Sequence, residues 1–520
     1  MLGTHGIELI LYFMSFASIK SAQPSFPESI IVDIESDITG GLHAFSVVGL
    51  PDKAVEEAKD RISSAIKNSG FKSPKSKSEK ITISLAPADL KKEGAHFDLP
   101  MALAYLISSG EVKFSTDKKM FIGELSLSGE VKPVKGILPF ARSAKKYGVK
   151  EIFVPKANAR EAGLVSGITI YAVSTLKQAL EHLLGKINLV PEEPTVIEER
   201  NSTGTISIGD IYGQETAKRA LLIASAGRHN ICFYGPPGTG KTMLARATLG
   251  ILPSLTEEEI MEVTSIHSIS GSLNDSYITN PPMRAPHHTS SYVAVIGGGA
   301  NPKPGEVTLA HRGILFLDEF PEFDRKVIDA MREPLEEGIV RISRARGSAT
   351  FPARFMLIAA MNPCSCGYYG SKVKECTCLP SRREAYRKKI SGPIADRIDL
   401  WVPVEHVEHD KLLSTNPNRE VEEQLAKDKV KEARMRALPR LKAINVSYNS
   451  EIPGRHLKAH AMVSEEAEKV LNMSATRLLL SPRSYHKTLK VARTIADLEG
   501  KDEIGSEHVL EALQFRFKEI

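Results

Sequence analysis

Two hydrophobic rhythms alternate along this chain. Short β-like runs, Ser29-Ile-Ile-Val-Asp33, Ile81-Thr-Ile-Ser-Leu85 and Glu151-Ile-Phe-Val154, read as strands. Between them, apolar residues recur every three to four positions over 54–69, 139–147 and 176–184, which predicts helices. This mixture predicts an α/β or α+β domain over residues 1–189. Residues 190–204 are rich in Pro, Glu and polar residues and read as a linker. Beyond them, 214–226 has helical periodicity and Asn230–Tyr234 reads as a strand. The apolar run Ile314–Leu317 reads as a buried strand, and 339–355 alternates as a hairpin would. Gly/Pro-rich stretches at 281–286 and 297–304 read as irregular insertions of the kind that act on a ligand. A charged helical segment follows at 410–439, and 464–517 reads as three helices. There is no repeat of solenoid period and no low-complexity tract.

Composition narrows the class only a little. With 520 residues there is room for about three domains, and a hydrophobic content of 42% excludes global disorder. The net charge of +5 argues for nothing by itself. Local clusters carry more: Arg341, Arg344 and Arg346 near the tip of the hairpin, and Arg382, Arg383, Arg387, Lys388 and Lys389 further on. Each is a solvated face or a polyanion contact. The apolar stretch Ile7–Phe16 is too short to span a bilayer and has no basic segment before it, so it reads as a strand, and the protein is expected to be soluble and cytoplasmic.

Three motifs stand in a telling order. Gly235-Pro236-Pro237-Gly238-Thr239-Gly240-Lys241-Thr242 is a phosphate-binding loop. Its glycines let backbone N–H groups surround phosphate, Lys241 reaches the outer phosphates, and Thr242 offers a hydroxyl to Mg²⁺. The helix opening at Lys241 aims its positive end at the same anion. Ile314–Leu317 then runs into Asp318 and Glu319, carboxylates at a strand's rim for the metal and the attacking water. Ala359-Ala-Met-Asn362-Pro363 supplies a polar sensor. Together they predict ATP hydrolysis with Mg²⁺. Separately, Cys364, Cys366, Cys376 and Cys378 fall within fifteen residues and suit a tetrahedral structural Zn²⁺, although paired cysteines in such sites are usually two residues apart rather than one; free thiols are the alternative. Cys232 reads as core.

The residues also carry a resemblance. Gly213–Gly227 leading into Gly235–Ala245, with Arg284-Ala-Pro-His-His-Thr289, Gly297-Gly-Gly, Pro304-Gly-Glu, Leu309-Ala-His-Arg-Gly313, Ser391–Asp399 and Val491–Leu498, resembles the magnesium-chelatase-like AAA+ ATPases, and within them the bacterial YifB/ComM family. Phe45–Asp52 and Ala86–Gly94 match that family's N-terminal domain, which is similar to the proteolytic domain of Lon, as are Gly123–Gly136 and Lys150–Pro155. The resemblance implies an inactive Lon-protease-like domain at 1–189 (ribosomal S5 domain 2-like), a linker at 190–204, an AAA+ core with a parallel sheet at 205–408 and a C-terminal helical lid at 409–520. It implies that Asn362 is sensor 1, Arg397 an arginine finger for a neighbouring subunit and Arg483 sensor 2. An internal pair of Arg397 with Asp396 or Asp399 is the plainer alternative. Residues 266–300 resemble a helix-2 insert and 339–355 a pre-sensor hairpin, elements that line the pore in related rings, with Arg341, Arg344 and Arg346 facing phosphates. His287 and His288 are adjacent, which aims their rings apart; a polar contact near nucleotide or pore fits them better than a metal. In the Lon-like alignment His96 stands where the nucleophilic serine belongs and Phe140 where the lysine belongs, and phenylalanine cannot take a proton.

What the resemblance implies for function is a homo-hexameric, DNA-translocating ATPase, a helicase promoting branch migration in natural transformation. Two other classes remain open. One is a protein-remodelling chaperone gripping polypeptide through Tyr292, and the other is a motor subunit like that of magnesium chelatase.

Overall fold

The computed structural model describes residues 15–198, 206–299, 302–344, 347–371, 374–407 and 417–517. The expected strand at 7–16 lies almost wholly outside the described residues; the first described strand is Phe16–Gln23. The chain forms two compact units. Of the described residues, one unit holds those up to Glu198 together with Thr264–Tyr277, and the other holds those from 206 to Val263 and from Ile278 on.

The first unit is built on a seven-stranded mixed sheet. Phe16–Gln23, Ile30–Gly40 and Glu79–Ala86 pair antiparallel, while Lys119–Phe121, Glu151–Pro155 and Thr169–Val173 add in parallel on the far side of Phe16–Gln23. The two kinds of strand bury differently. Ile30–Gly40 alternates buried and partly exposed positions, whereas Glu151–Pro155 is almost wholly buried, as parallel strands covered on both faces are. Helix Lys53–Asn68 begins where the Asp52 carboxylate accepts from the Val55 N–H, and its stripe of Val55, Ala58, Ile62, Ala65 and Ile66 joins the core. His96 is buried, and its Nε2 lies 3.0 Å from the Ala22 carbonyl. Its ring centroid is 5.3 Å from that of Phe140, so the fold brings these two residues together. Burial pulls the His96 imidazole down to about 4, leaving it neutral at physiological pH. Part of the expected linker is not free. The Glu192 N–H bonds to the Ile170 carbonyl, and the Thr195 N–H bonds to the Gly163 carbonyl.

The second unit is a five-stranded, all-parallel sheet in the order Met283–Arg284, Ile314–Leu317, Met356–Met361, Ile231–Tyr234, Leu400–Pro403. Ile314–Leu317 and Met356–Met361 are buried at every position, which explains their unbroken apolar sequence. The Gly/Pro-rich stretch at 281–286 is therefore partly a strand, and 297–304 holds a small antiparallel ladder, Gly297–Gly298 with Lys303–Pro304. Residues beyond 417 are helical: Arg419–Lys442, Gly454–Ala461, Glu465–Leu478, Pro482–Leu498 and Ser506–Gln514. The charged helix Arg419–Lys442 still buries a stripe, Ala426, Val430, Ala433, Ala437 and Leu441. These helices share one hydrophobic core with the sheet. Among the described residues no helix is long and apolar enough to cross a membrane.

Candidate nucleotide site and arginine cleft

Parallel strands in register deliver the three motifs to one edge. Tyr234 pairs with Met361 and Leu317 with Ala359, so Gly235, Asp318 and Asn362 all emerge at the carboxyl ends of neighbouring strands. That edge is where open parallel sheets hold ligands, at the point where connections diverge to both sides. The loop turns through Gly238 and Gly240, whose φ values of +76° and +88° suit glycine. A Cβ on Gly235 would meet the Val404 carbonyl oxygen at 2.1 Å, so only glycine lets the strand end there. The helix Lys241–Ile251 opens directly out of the loop.

The side chains gather as the motifs predicted. Lys241 Nζ donates to the carbonyls of Gly235 (2.8 Å) and Pro236 (2.7 Å) and lies 3.3 Å from Asn362 Oδ1. Burial pulls its ammonium down to about 8, partly opposed by the charge of Asp318. Thr242 Oγ1 donates to Asp318 Oδ2 at 2.9 Å, so the hydroxyl and carboxylate expected to share a metal already touch. Glu319 adopts a left-handed backbone at φ +51°, and its N–H bonds to Asp318 Oδ1. His288 Nδ1 lies 3.2 Å from Glu319 Oε2, which makes it a polar contact beside the nucleotide site; His287 bonds to Thr289 instead. Residues from three separated stretches, 235–242, 318–319 and 362, thus meet at one edge as a glycine loop with its lysine, a hydroxyl–carboxylate pair, a second carboxylate and an asparagine. The donor set fits ATP and Mg²⁺: a left-handed glycine loop, a part-buried cation with only carbonyl and amide acceptors, and a hydroxyl–carboxylate pair.

The four cysteines lie just past the sensor. Their Sγ atoms all sit within 4.8 Å of one another, with Cys364–Cys366 at 3.3 Å, Cys364–Cys376 at 3.7 Å and Cys366–Cys376 at 3.5 Å, and all are free thiols. Tetrahedral Zn²⁺ with bonds of about 2.3 Å sets sulfurs about 3.8 Å apart, so the cluster fits that metal. The same loop packs on the cradle: Gly367 lies so close to Pro237 that a Cβ would meet its Cγ at 2.8 Å.

Arg397 and Arg483 are placed elsewhere. The Arg397 carbonyl accepts from Asn230 Nδ2, and Asn230 precedes the strand whose far end carries the cradle. Four strand residues, about 13 Å of chain, separate the two edges. The internal partner of Arg397 is Glu336 rather than Asp396 or Asp399, and Arg483 reaches the same carboxylate at 3.6 Å. Asp399 is occupied by the Asn230 N–H and faces His229.

The hairpin exists, Ile339–Arg344 with Gly347–Pro352, but Arg341 is not near its tip. It is tied to Glu333 (2.6 Å) and Glu337 (2.7 Å) on the helix Arg332–Glu337. Arg346 lies outside the described residues, as does the side chain of Arg344. Glu336 was missed from sequence; the spacing Glu333, Glu336, Glu337 just before an arginine-bearing hairpin was the available signal.

Comparison with known proteins agrees with this geometry. Residues 207–412 match the family described as "Magnesium chelatase, subunit ChlI", residues 34–158 "Subunit ChlI of Mg-chelatase", and residues 422–516 "Magnesium chelatase, subunit ChlI C-terminal". The chain is 42% identical over 509 residues to the "Competence protein ComM" of Haemophilus influenzae, covering 97% of this chain and 98% of that protein. It is 41% identical over 487 residues to the "Uncharacterized protein YifB" of Salmonella typhimurium, covering 93% and 94%. A distant similarity, 26% over 261 residues, covers 46% of this chain and 29% of the "DNA replication licensing factor mcm7" of Schizosaccharomyces pombe. The chain belongs to the YifB/ComM family of magnesium-chelatase-like AAA+ ATPases.

Proposed function

We propose that this ATPase works as a ring of identical subunits that moves along DNA, a helicase that promotes branch migration when incoming DNA is recombined. The observation that carries the ring is the split of the machinery across the sheet. Lys241, Thr242, Asp318, Glu319 and Asn362 stand at the carboxyl edge and Arg397 at the amino edge, so Arg397 serves a nucleotide held by another copy. Thr242 and Asp318 would hold Mg²⁺, which would neutralise charge on the phosphate oxygens. Lys241 binds the outer phosphates, Glu319 polarises the attacking water and Asn362 orients it. Arg397 answers the charge that spreads over the transferring phosphoryl group.

DNA as substrate is supported by the likeness to ComM and, distantly, to mcm7. The basic hairpin supports it less directly, since Arg341 already holds two carboxylates that DNA phosphate would have to displace. Tyr292 and Val293 are exposed on a short helix and favour a polypeptide grip instead. ATPase rates with and without single-stranded and forked DNA, at low and high salt, separate these. Stimulation by DNA that fades with salt is expected; stimulation by unfolded polypeptide alone overturns the DNA reading. For the ring, a Lys241→Ala chain mixed with an Arg397→Ala chain should regain turnover that neither has alone. Mixtures that stay inactive, or full turnover by Arg397→Ala alone, overturn the shared site.

We further propose that the four cysteines hold one structural Zn²⁺ that pins the loop after Asn362 against the cradle at Pro237, and that His96 and Phe140 are a packing contact rather than a nucleophile and its base.

A further inference from the structure

One short helix, Arg332–Glu337, carries three glutamates, and arginines hold all of them. Glu333 and Glu337 clamp Arg341 of the hairpin. Glu336 receives both Arg397 and Arg483, which line the same cleft of about 750 Å³. Among the described residues, Glu336 is the carboxylate with which each of these two arginines pairs. The Arg397 side chain is only 10% exposed, its Nη1 donates to the Pro393 carbonyl at 2.6 Å, and its Nε is buried without a hydrogen-bond partner.

A desolvated guanidinium with no anion is costly, so a subunit needs some carboxylate at this point. Glu336 itself is 53% exposed. A pair with one partner so well hydrated is worth little and can be exchanged. Phosphate carries more charge and accepts from guanidinium in two-pronged geometry. We propose that Glu336 is the resting counter-ion of Arg397 and Arg483, a carboxylate that phosphate displaces when a second copy presents its nucleotide. Glu336 thus acts before assembly and not within the assembled site: it balances both arginines in the free subunit and gives way to phosphate. The exchange also has a readout. Glu336 shares its helix with the two carboxylates that hold Arg341, so losing its arginines on one side bears on the hairpin's anchor on the other.

This rests on the shared-site reading of Arg397, and the experiment keeps the two apart. Glu336→Gln removes the charge and keeps the shape. Turnover is measured against protein concentration, with kcat and KM separated and assembly followed by sedimentation with ATPγS and Mg²⁺. The protein concentration giving half-maximal turnover should fall about three- to tenfold, because assembly no longer breaks an ion pair, while kcat per assembled subunit stays within about twofold. Glu336→Asp, which keeps the charge, should follow the wild type. An unchanged concentration dependence in Glu336→Gln overturns the proposal. So does loss of kcat in an assembled ring, which would make Glu336 part of the working geometry, and so does a Glu336→Asp chain that behaves like Glu336→Gln. Failure of the shared site itself shows differently, as full turnover by Arg397→Ala.

Discussion

Lys241 sets a pH dependence that can be worked out from its surroundings. Without phosphate the ammonium is part-buried, with two carbonyls and the Asn362 amide oxygen as acceptors. The fall from 10.5 to about 8 corresponds to roughly 3.4 kcal/mol disfavouring the charged form, which solvent screening of a part-exposed group reduces to about 2–3 kcal/mol. The sign for stability follows. Below about pH 8 the charged lysine costs the fold this energy, and the cost fades as pH rises toward 10.5, so this group alone makes the ligand-free protein more stable as pH rises through that window. Nucleotide reverses the balance, because its phosphates are the missing anion and hold Lys241 charged. Binding at pH 9 should therefore take up about 0.9 proton, and Kd should weaken about tenfold between pH 7 and pH 9. The assay is calorimetric titration of ATPγS with Mg²⁺ in two buffers of different ionisation enthalpy. A Kd that stays flat from pH 7 to 9, with heats independent of buffer, would refute this account of the cradle.

Other tests reach different parts of the molecule. Glu319→Gln should bind ATP normally yet turn over more than about a hundredfold more slowly; binding by fluorescent nucleotide and phosphate release read the two separately, and retained turnover removes Glu319 from the water-activating role. Elemental analysis of freshly reduced protein should find one zinc per chain, and Cys376→Ser should lose it; a metal-free wild type with normal stability ends the zinc proposal. Asp497 is 1% exposed and accepts from Arg440, Arg493 and Asn449, while Arg493 is wholly buried. Asp497→Ala should therefore cost about 3–5 kcal/mol, read as a lower urea midpoint by fluorescence of the single tryptophan, Trp401, which sits in the central sheet; an unchanged midpoint would mean the buried arginines have found other anions.

The nucleotide edge was legible because each of its parts is local. A glycine loop, an apolar strand ending in two acids and an Asn-Pro after a third apolar run are each complete within a few residues. Parallel register then does the assembly, since the fold adds no choice once the strands are adjacent. The helices were legible for the same reason, down to Lys53–Asn68 and Leu176–Leu183 lying within a residue or so of their periodic stretches. What was hidden depends on non-local pairing. Met283–Arg284 is too short to read as a strand and becomes one by pairing with Ile314–Leu315. Thr264–Tyr277 sits with the first unit through contacts that no local pattern encodes: Ser268 donates to Glu161 at 2.5 Å and accepts from the Gly136 N–H at 2.9 Å.

Charged motifs posed the harder problem, because buried ion pairs and catalytic groups use the same residue types. Arg284 and Glu306, both in stretches that identified the family, hold each other at 2.5 and 2.8 Å. His311 and Arg312 converge on Glu262. Arg493 and Asp497 are paired one helical turn apart inside the helical region. Each of these groups finds a partner within its own subunit and so needs none outside. Arg397 and Arg483 differ in the exposure of their partner rather than in sequence: both lean on Glu336, which is 53% exposed, whereas Arg440 and Arg493 share Asp497, which is 1% exposed. A cation so poorly matched is stabilised by any better anion that arrives. On the proposed shared site, phosphate presented by another copy would be that anion, and it would relieve the deficit in pairing of both arginines.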